Sequence, residues 1–423
     1  MGLPNDIISE WVLSNVKKFD DKLIGEPVNG TRKISGQILS PPDTVMASST
    51  TSSSAEVEHA HPDLEVPLNL YSIQAFEFIG FTASASKWLL DIWALDDEGD
   101  LEDAMIARIV NFGGHDSDDE RTSMSKIGIS AELQEKVMDP EYEDVRSTQW
   151  LSYWILETIF ENLWTLKNLS ERLNRNLAVL QSGKTPFASL RGGAPEDRSK
   201  YHLTQVGHTT LYRSTSAAQL ERVFGEHSLN LDLNFQFGRG IHTGDFHNER
   251  RGYCWSTQHW VSEHFAAYTC SRIKSPTYVC VIRALVPTHL LQGQGVWALP
   301  FGDDWKKLVW HSTRELIYPA DIQKKLDKST LIIGPVSINF SELKSWKQAT
   351  EDRNCYTVKG EVAKQYVWVG MASMAAMNEP LKEKWDLFRG RWKLCTKDPY
   401  ADCSPRHIPE PQKWAKMQLE DMH

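Results

Sequence analysis

The feature that most constrains this chain is a change of hydrophobic period near residue 200. From Thr148 to Leu180, apolar residues such as Trp150, Tyr153, Trp154, Ile159, Phe160, Leu163 and Leu166 recur at three- and four-residue steps. That spacing predicts one or two amphipathic helices. After Tyr201 the period shortens, and strand-like runs cover 208–213, 252–257, 277–286, 294–299, 308–318 and 330–340, separated by turn residues. A helix is expected over Ala217–Phe224 and another after the second strand, with a Gly-rich loop from Phe237 to Gly244 between them. Helices first and strands afterwards predict an α+β protein rather than a doubly wound sheet.

With 423 residues the chain is too long for one ordinary core. Residues 40–60 are rich in Ser and Thr behind Pro41-Pro42, a composition that cannot repay its ordering entropy. Four segments are therefore expected. Residues 1–62 hold a short amphipathic helix, from Asp6 as its N-cap to Asp20, and a flexible linker. Residues 63–185 form a helical domain. Residues 200–345 form a strand-rich domain. Residues 346–423 form an extension packed on it, with a strand at Tyr366–Val369 and a helix near 379–390.

Basic residues number 46 against 56 acidic, a net charge of −10, which argues against a broad phosphate-binding surface but leaves room for a local basic groove. The start of the chain lacks a signal-peptide pattern, and no apolar run is long enough to span a bilayer. Six cysteines are scattered with no C-x-x-C pair. These features predict a reduced, cytoplasmic protein with no membrane partner. Nine of the fourteen histidines fall between 202 and 311. The pairs His242/His247 and His259/His264 are five apart, which does not place two rings on one helical face, so no metal is expected.

Three short pieces carry the chemistry: Leu211-Tyr212-Arg213, Tyr253-Cys254-Trp255-Ser256-Thr257 and Arg314-Glu315-Leu316-Ile317-Tyr318-Pro319. Singly, such an Arg or Glu is ordinarily a solvated or ion-paired surface residue. Together, in this order and spacing, they resemble the ADP-ribosyltransferase superfamily in its Arg–Ser–Glu variety, over about residues 200–342. That family has an aromatic-Arg on its first strand, an aromatic-x-Ser-Thr-Ser element leading into a helix, and a Glu opening a later strand.

The resemblance implies a split-sheet catalytic domain that uses NAD as a substrate. Glu315 would stabilise the oxocarbenium-like cation formed when the nicotinamide–ribose bond breaks. Arg213, with Tyr212 beside it, would fork onto a phosphate or ribose of the dinucleotide. Ser256, supported by Thr257, would hold the shape of the nicotinamide pocket, and Tyr253 and Trp255 would stack on a flat ring. His242, in the loop Gly238–Asp245, is placed to supply an acid or base as that loop closes, and Arg251 to meet phosphate. Two departures stand out. Thr313 occupies the position where arginine-modifying members carry Glu or Gln, and Gln258 replaces the closing Ser.

Three functions follow. The first is NAD-dependent ADP-ribosyl transfer or NAD cleavage. The second keeps the pocket for the 3′ end of an aminoacyl-tRNA, making the protein an acyl transferase such as an arginine-using cyclodipeptide synthase of the fungal kind. There Ser256 or Cys254 would carry the acyl group. The third is a nucleotide-binding module without catalysis.

Overall fold

A computed structural model describes residues 6–39, 63–95, 101–112, 119–182, 205–216, 244–247, 252–274, 279–370 and 385–390. The expected linker, the helix over Ala217–Phe224 and most of the Gly-rich loop lie outside those residues.

The helices are α1 (Glu10–Phe19), α2 (Gly36–Leu39), α3 (Ile73–Ile79), α4 (Ala83–Leu95), α5 (Leu101–Phe112), α6 (Glu120–Ile127), α7 (Ala131–Val137), α8 (Glu143–Arg146), α9 (Leu151–Lys167), α10 (Leu169–Ser182), α11 (His259–Arg272), α12 (Asp303–Thr313), α13 (Ala320–Leu326) and α14 (Glu351–Asn354). The strands are β1 (Thr31–Ile34), β2 (Leu64–Pro67), β3 (His208–Ser216), β4 (Gly252–Trp255), β5 (Val279–Pro287), β6 (Val296–Ala298), β7 (Leu331–Pro335), β8 (Thr357–Val358), β9 (Glu361–Val362), β10 (Lys364–Val369) and β11 (Trp385–Gly390). The protein is α+β, with the helices concentrated before residue 183.

Helix α9 sits at the centre of the helical part. Every residue from Trp154 to Leu166 except Glu157 is buried, so no solvent-facing stripe remains. Its aromatics are packing residues: Phe160 stacks on Trp164 at 5.7 Å, and Trp154 meets Tyr268 of α11 edge-on at 5.0 Å. Each such burial stabilises the fold by roughly 1.5–3 kcal/mol. One apolar core therefore runs from Val12 and Val16 of α1 through Phe76 and Ile159 to Val261, Ala267 and Tyr268 of α11. The strand-rich part is tied into the helical part through α11.

The start of α1 differs from expectation. Ser9, not Asp6, is the N-cap, its hydroxyl accepting from the Val12 amide at 3.4 Å. Ile7 and Ile8 precede the helix and are buried, while Trp11 is 62% exposed, as its place on the outer face dictates.

Besides the β8–β9 hairpin, the strands described in this part of the molecule form two larger sheets. β4, β10, β7 and β6 make one, and β11, β5 and β3 make the other. Antiparallel pairing of β3 with β5 runs the full length, from His208 opposite Pro287 to Ser216 opposite Val279. The segment beyond residue 346 is part of both sheets, because β10 lies between β4 and β7 and β11 forms an edge beside β5. The expected boundary at 345 thus runs through the sheets. Where a helix was expected near 379–390, Trp385–Gly390 is a strand, bonded to β5 along its length.

The run 308–318 is not a strand. α12 covers Asp303–Thr313, with Trp305, Leu308, Val309 and Ser312 buried. Their spacing is i, i+3, i+4, i+7, and Asp303 and Asp304 sit in the first turn, where the helix dipole favours negative charge. Reading from Leu308 onward starts in mid-helix and sees only a β-like apolar cluster.

Candidate functional site

The two sheets meet where β3 passes the end of β4. Tyr212 of β3 donates its amide to the Ser256 carbonyl at 2.7 Å, and Ser256 donates back to the Tyr212 carbonyl at 2.9 Å. This reciprocal bridge brings together the first two sequence motifs. One residue further on, the Arg213 guanidinium reaches across to the Cys254 carbonyl at 2.9 Å. Half-buried, it presents a planar fork at the seam, the geometry suited to phosphate or carboxylate.

Ser256 is 3% exposed, and its hydroxyl accepts from the Gln258 amide at 3.0 Å. It shapes the turn from β4 into α11 rather than lying open as a nucleophile. Gln258 makes three bonds of its own. Its Nε2 donates to the Glu361 carboxylate at 2.8 Å and the Val362 carbonyl at 2.9 Å, and its Oε1 accepts from the Lys364 amide at 2.6 Å. The motif is thereby fastened to the hairpin before β10. Trp255 is buried, and its indole N–H has no acceptor among the described residues. Thr257 is half-buried beside it. Tyr253 takes its place in β4 opposite Trp368, its side chain outside the described residues, as are His242 and Arg251 altogether.

Beneath the seam lies α9. The Tyr153 hydroxyl is pushed well above its usual range by burial, with Glu157 and Cys254 adding to the effect and Arg213 and Arg272 opposing it. The helical part thus places a neutral phenol within electrostatic reach of Arg213. Burial raises the Cys254 thiol to about 11, which keeps it protonated at neutral pH and removes it as a nucleophile. Asp245 is buried and is pushed up to about 6, chiefly by desolvation. It accepts from the Ser337 amide at 2.7 Å, the Ser337 hydroxyl and the Gln365 amide group.

The third motif meets the start of α9 and makes no bond to the first two among the described residues. Thr313 ends α12, its hydroxyl bonding the Val309 carbonyl at 2.8 Å and its own carbonyl accepting from the Trp150 indole at 2.6 Å. Arg314 follows, its guanidinium 3.5 Å from the Trp310 ring centroid and bonded to the Phe340 and Leu343 carbonyls. Burial lowers its pKa to about 10. Glu315 then adopts a left-handed backbone, φ 53°, and is exposed. Instead of opening a strand, it lies in a turn between two helices. Among the described residues its side chain makes no hydrogen bond or ion pair, and none joins it to Arg213 or Ser256.

One group was missed from the sequence. His259 opens α11 directly after the Ser256 motif, and its Nδ1 lies 3.2 Å from the Glu263 carboxylate one turn later. Its ring meets the Tyr212 ring edge-on at 4.9 Å. The i, i+4 spacing of His and Glu was visible; its adjacency to Tyr212 needed the fold. Among the described residues no group of three or more His, Cys, Asp or Glu is placed to hold a metal ion, and no helix is long and apolar enough to cross a membrane. Comparison with known proteins returns no match, whether with family models, with curated proteins or with solved structures.

Proposed function

We propose that this protein is a transferase with an ADP-ribosyltransferase-type pocket, which breaks the nicotinamide–ribose bond of NAD and passes the ADP-ribosyl group to an acceptor. The observation that carries this reading is the Tyr212–Ser256 bridge, which sets the Arg213 fork beside the Ser256 turn at the junction of two sheets. Arg213 binds a phosphate or ribose of the dinucleotide, and Ser256 keeps the turn that shapes the nicotinamide pocket. The orphaned indole N–H of Trp255 supplies a donor at the same turn. Thr313 spends its hydroxyl inside α12, so nothing there selects a guanidinium, and the acceptor is not arginine. Cys254, Cys270 and Cys355 are free thiols, in keeping with a reducing compartment such as the cytoplasm.

The test is nicotinamide release from NAD, followed by mass spectrometry for wild type, Arg213→Ala and Glu315→Gln. The expected result is release by wild type and weakened NAD binding in Arg213→Ala. Loss of release in Glu315→Gln would mean that the turn after α12 closes on the seam during turnover. No release from wild type overturns NAD chemistry. The exposed position of Glu315 favours, as second reading, a pocket of the same shape that takes the adenylate end of an aminoacyl-tRNA, and formation of a small aminoacyl product is then the assay.

A further inference from the structure

We infer that this protein carries a second binding site, on its helical part, for an amphipathic cation: an ammonium or guanidinium group borne on an apolar body. The site lies past the end of α11 remote from the Ser256 turn, roughly 20 Å along a helix of 14 residues, and stands apart from the NAD reading.

The site is a cleft of about 490 Å³ between the β1–β2 hairpin, α3, α7 and Ile273-Lys274, the two residues that follow α11. Pockets that hold small ligands run from roughly 300 to 1,000 Å³. Phe78, Ile273 and Pro67 are buried and, with Leu64, give the cleft an apolar lining. The sequence sets carboxylates beside that lining. On α3, Gln74, Glu77 and Phe78 stand at i, i+3 and i+4 and share one face. On β2, Glu65 and Pro67 are two residues apart and share another.

Charge decides the ligand. Three carboxylates and two ammoniums line the cleft, and both ammoniums go to one carboxylate, Lys136 at 3.0 Å and Lys274 at 2.8 Å from Glu132. Glu65 accepts only the Thr31 hydroxyl, and Glu77 makes no side-chain hydrogen bond or ion pair among the described residues. Lys33 stands opposite Glu65 in register but bonds Asp63 at 2.8 Å. Glu65 and Glu77 are thus left without a counter-charge. On a flat surface they would be ordinary solvated residues. Here they border a cleft with an aromatic wall, and Lys274 shows what that wall accepts, its ammonium 5.9 Å from the Phe78 ring centroid. A ligand cation bonded to Glu77 or Glu65 supplies the missing charge and lays its body along Leu64, Phe78 and Ile273. An anion would meet two unneutralised carboxylates.

The test titrates the full chain with n-hexylammonium chloride, sodium hexanoate and acetyl-arginine methylamide, by calorimetry at low salt, for wild type, Glu77→Gln and Glu65→Gln. Hexylammonium should bind wild type saturably and about tenfold more tightly than hexanoate, and added salt should weaken it. Each variant should weaken hexylammonium binding about five- to tenfold. Glu77 has no side-chain bond to lose, so Glu77→Gln should keep the wild-type melting midpoint, and its loss of binding reports the site rather than the fold. Tighter binding of the arginine derivative than of hexylammonium assigns the site to a partner protein's side chain, and the reverse to a free amine; both bear the inference out. Equal binding of hexanoate overturns it, as does hexylammonium binding that is unchanged in both variants. Absence of saturation with either cation overturns it as well. Nicotinamide release plays no part in these outcomes, so they leave the NAD reading where it stands.

Discussion

Arg272 and Glu157 meet at 2.6 Å between α11 and α9, with the arginine side chain wholly enclosed. The guanidinium also donates to the Trp154 carbonyl at 2.9 Å and the Thr158 hydroxyl at 2.6 Å, and lies 4.0 Å from the Tyr268 ring centroid. A buried charge with this many partners is satisfied, and it locks the helix that starts at the Ser256 turn onto the central helix of the helical part.

Removing one partner should expose that dependence. Glu157→Ala leaves an enclosed cation without its counter-charge, and the expected loss is about 3 kcal/mol, read as a lower urea midpoint. Arg272→Lys is expected to lose nearly as much, because an ammonium cannot span the same acceptors. An unchanged midpoint in Glu157→Ala would show that the remaining hydrogen bonds hold the guanidinium unaided.

Asp245 makes stability depend on pH. Its carboxyl is raised from 3.8 to about 6, so the folded state holds a proton more tightly than the unfolded one. The associated stability is full below the unfolded value and is lost as pH rises through about 6, on the order of 3 kcal/mol in all. Urea midpoints of wild type and Asp245→Asn should therefore converge or cross between mildly acidic and neutral pH. Two parallel pH profiles would refute the assignment.

Gln258 ties the Ser256 turn to the hairpin before β10. Gln258→Ser abandons bonds to Glu361, Val362 and Lys364, and a loss of about 1–2 kcal/mol is expected. Hydrogen exchange should speed up at the Lys364 amide before it does so at β3. Unaltered protection there would mean that water replaces the glutamine at no cost.

Backbone strain at Glu315 gives a fourth test. A non-glycine residue at φ 53° pays a penalty that glycine avoids, so Glu315→Gly should raise stability by up to about 1 kcal/mol. Glu315→Gln should leave it within about 0.5 kcal/mol, since the side chain makes no bond among the described residues. A large loss in either variant would reveal a contact made by the carboxylate.

The helices of the first part and the strands β3, β4, β5 and β10 were legible because their side chains repeat at the period of the element. α12 was misread because Leu308, Val309 and Trp310 look β-like when Trp305 is left out of the window. Placing Glu315 on a strand followed from that error. That the first two motifs lie side by side was legible as motif order, but the Tyr153, Glu157 and Arg272 group beneath them was not, since no local spacing links α9 to residues more than a hundred positions later. β11 escaped for the same reason: its strand character comes from β5, not from its own alternation.

Two backbone hydrogen bonds between Tyr212 and Ser256, and one from the Arg213 guanidinium to the Cys254 carbonyl, make the junction of the sheets. α11 starts at that junction and is gripped at its far end by α9 through Arg272. The helical part is in this sense the anchor of the junction. A change at Glu157 acts on it from the far end of α11, without altering any residue that forms it.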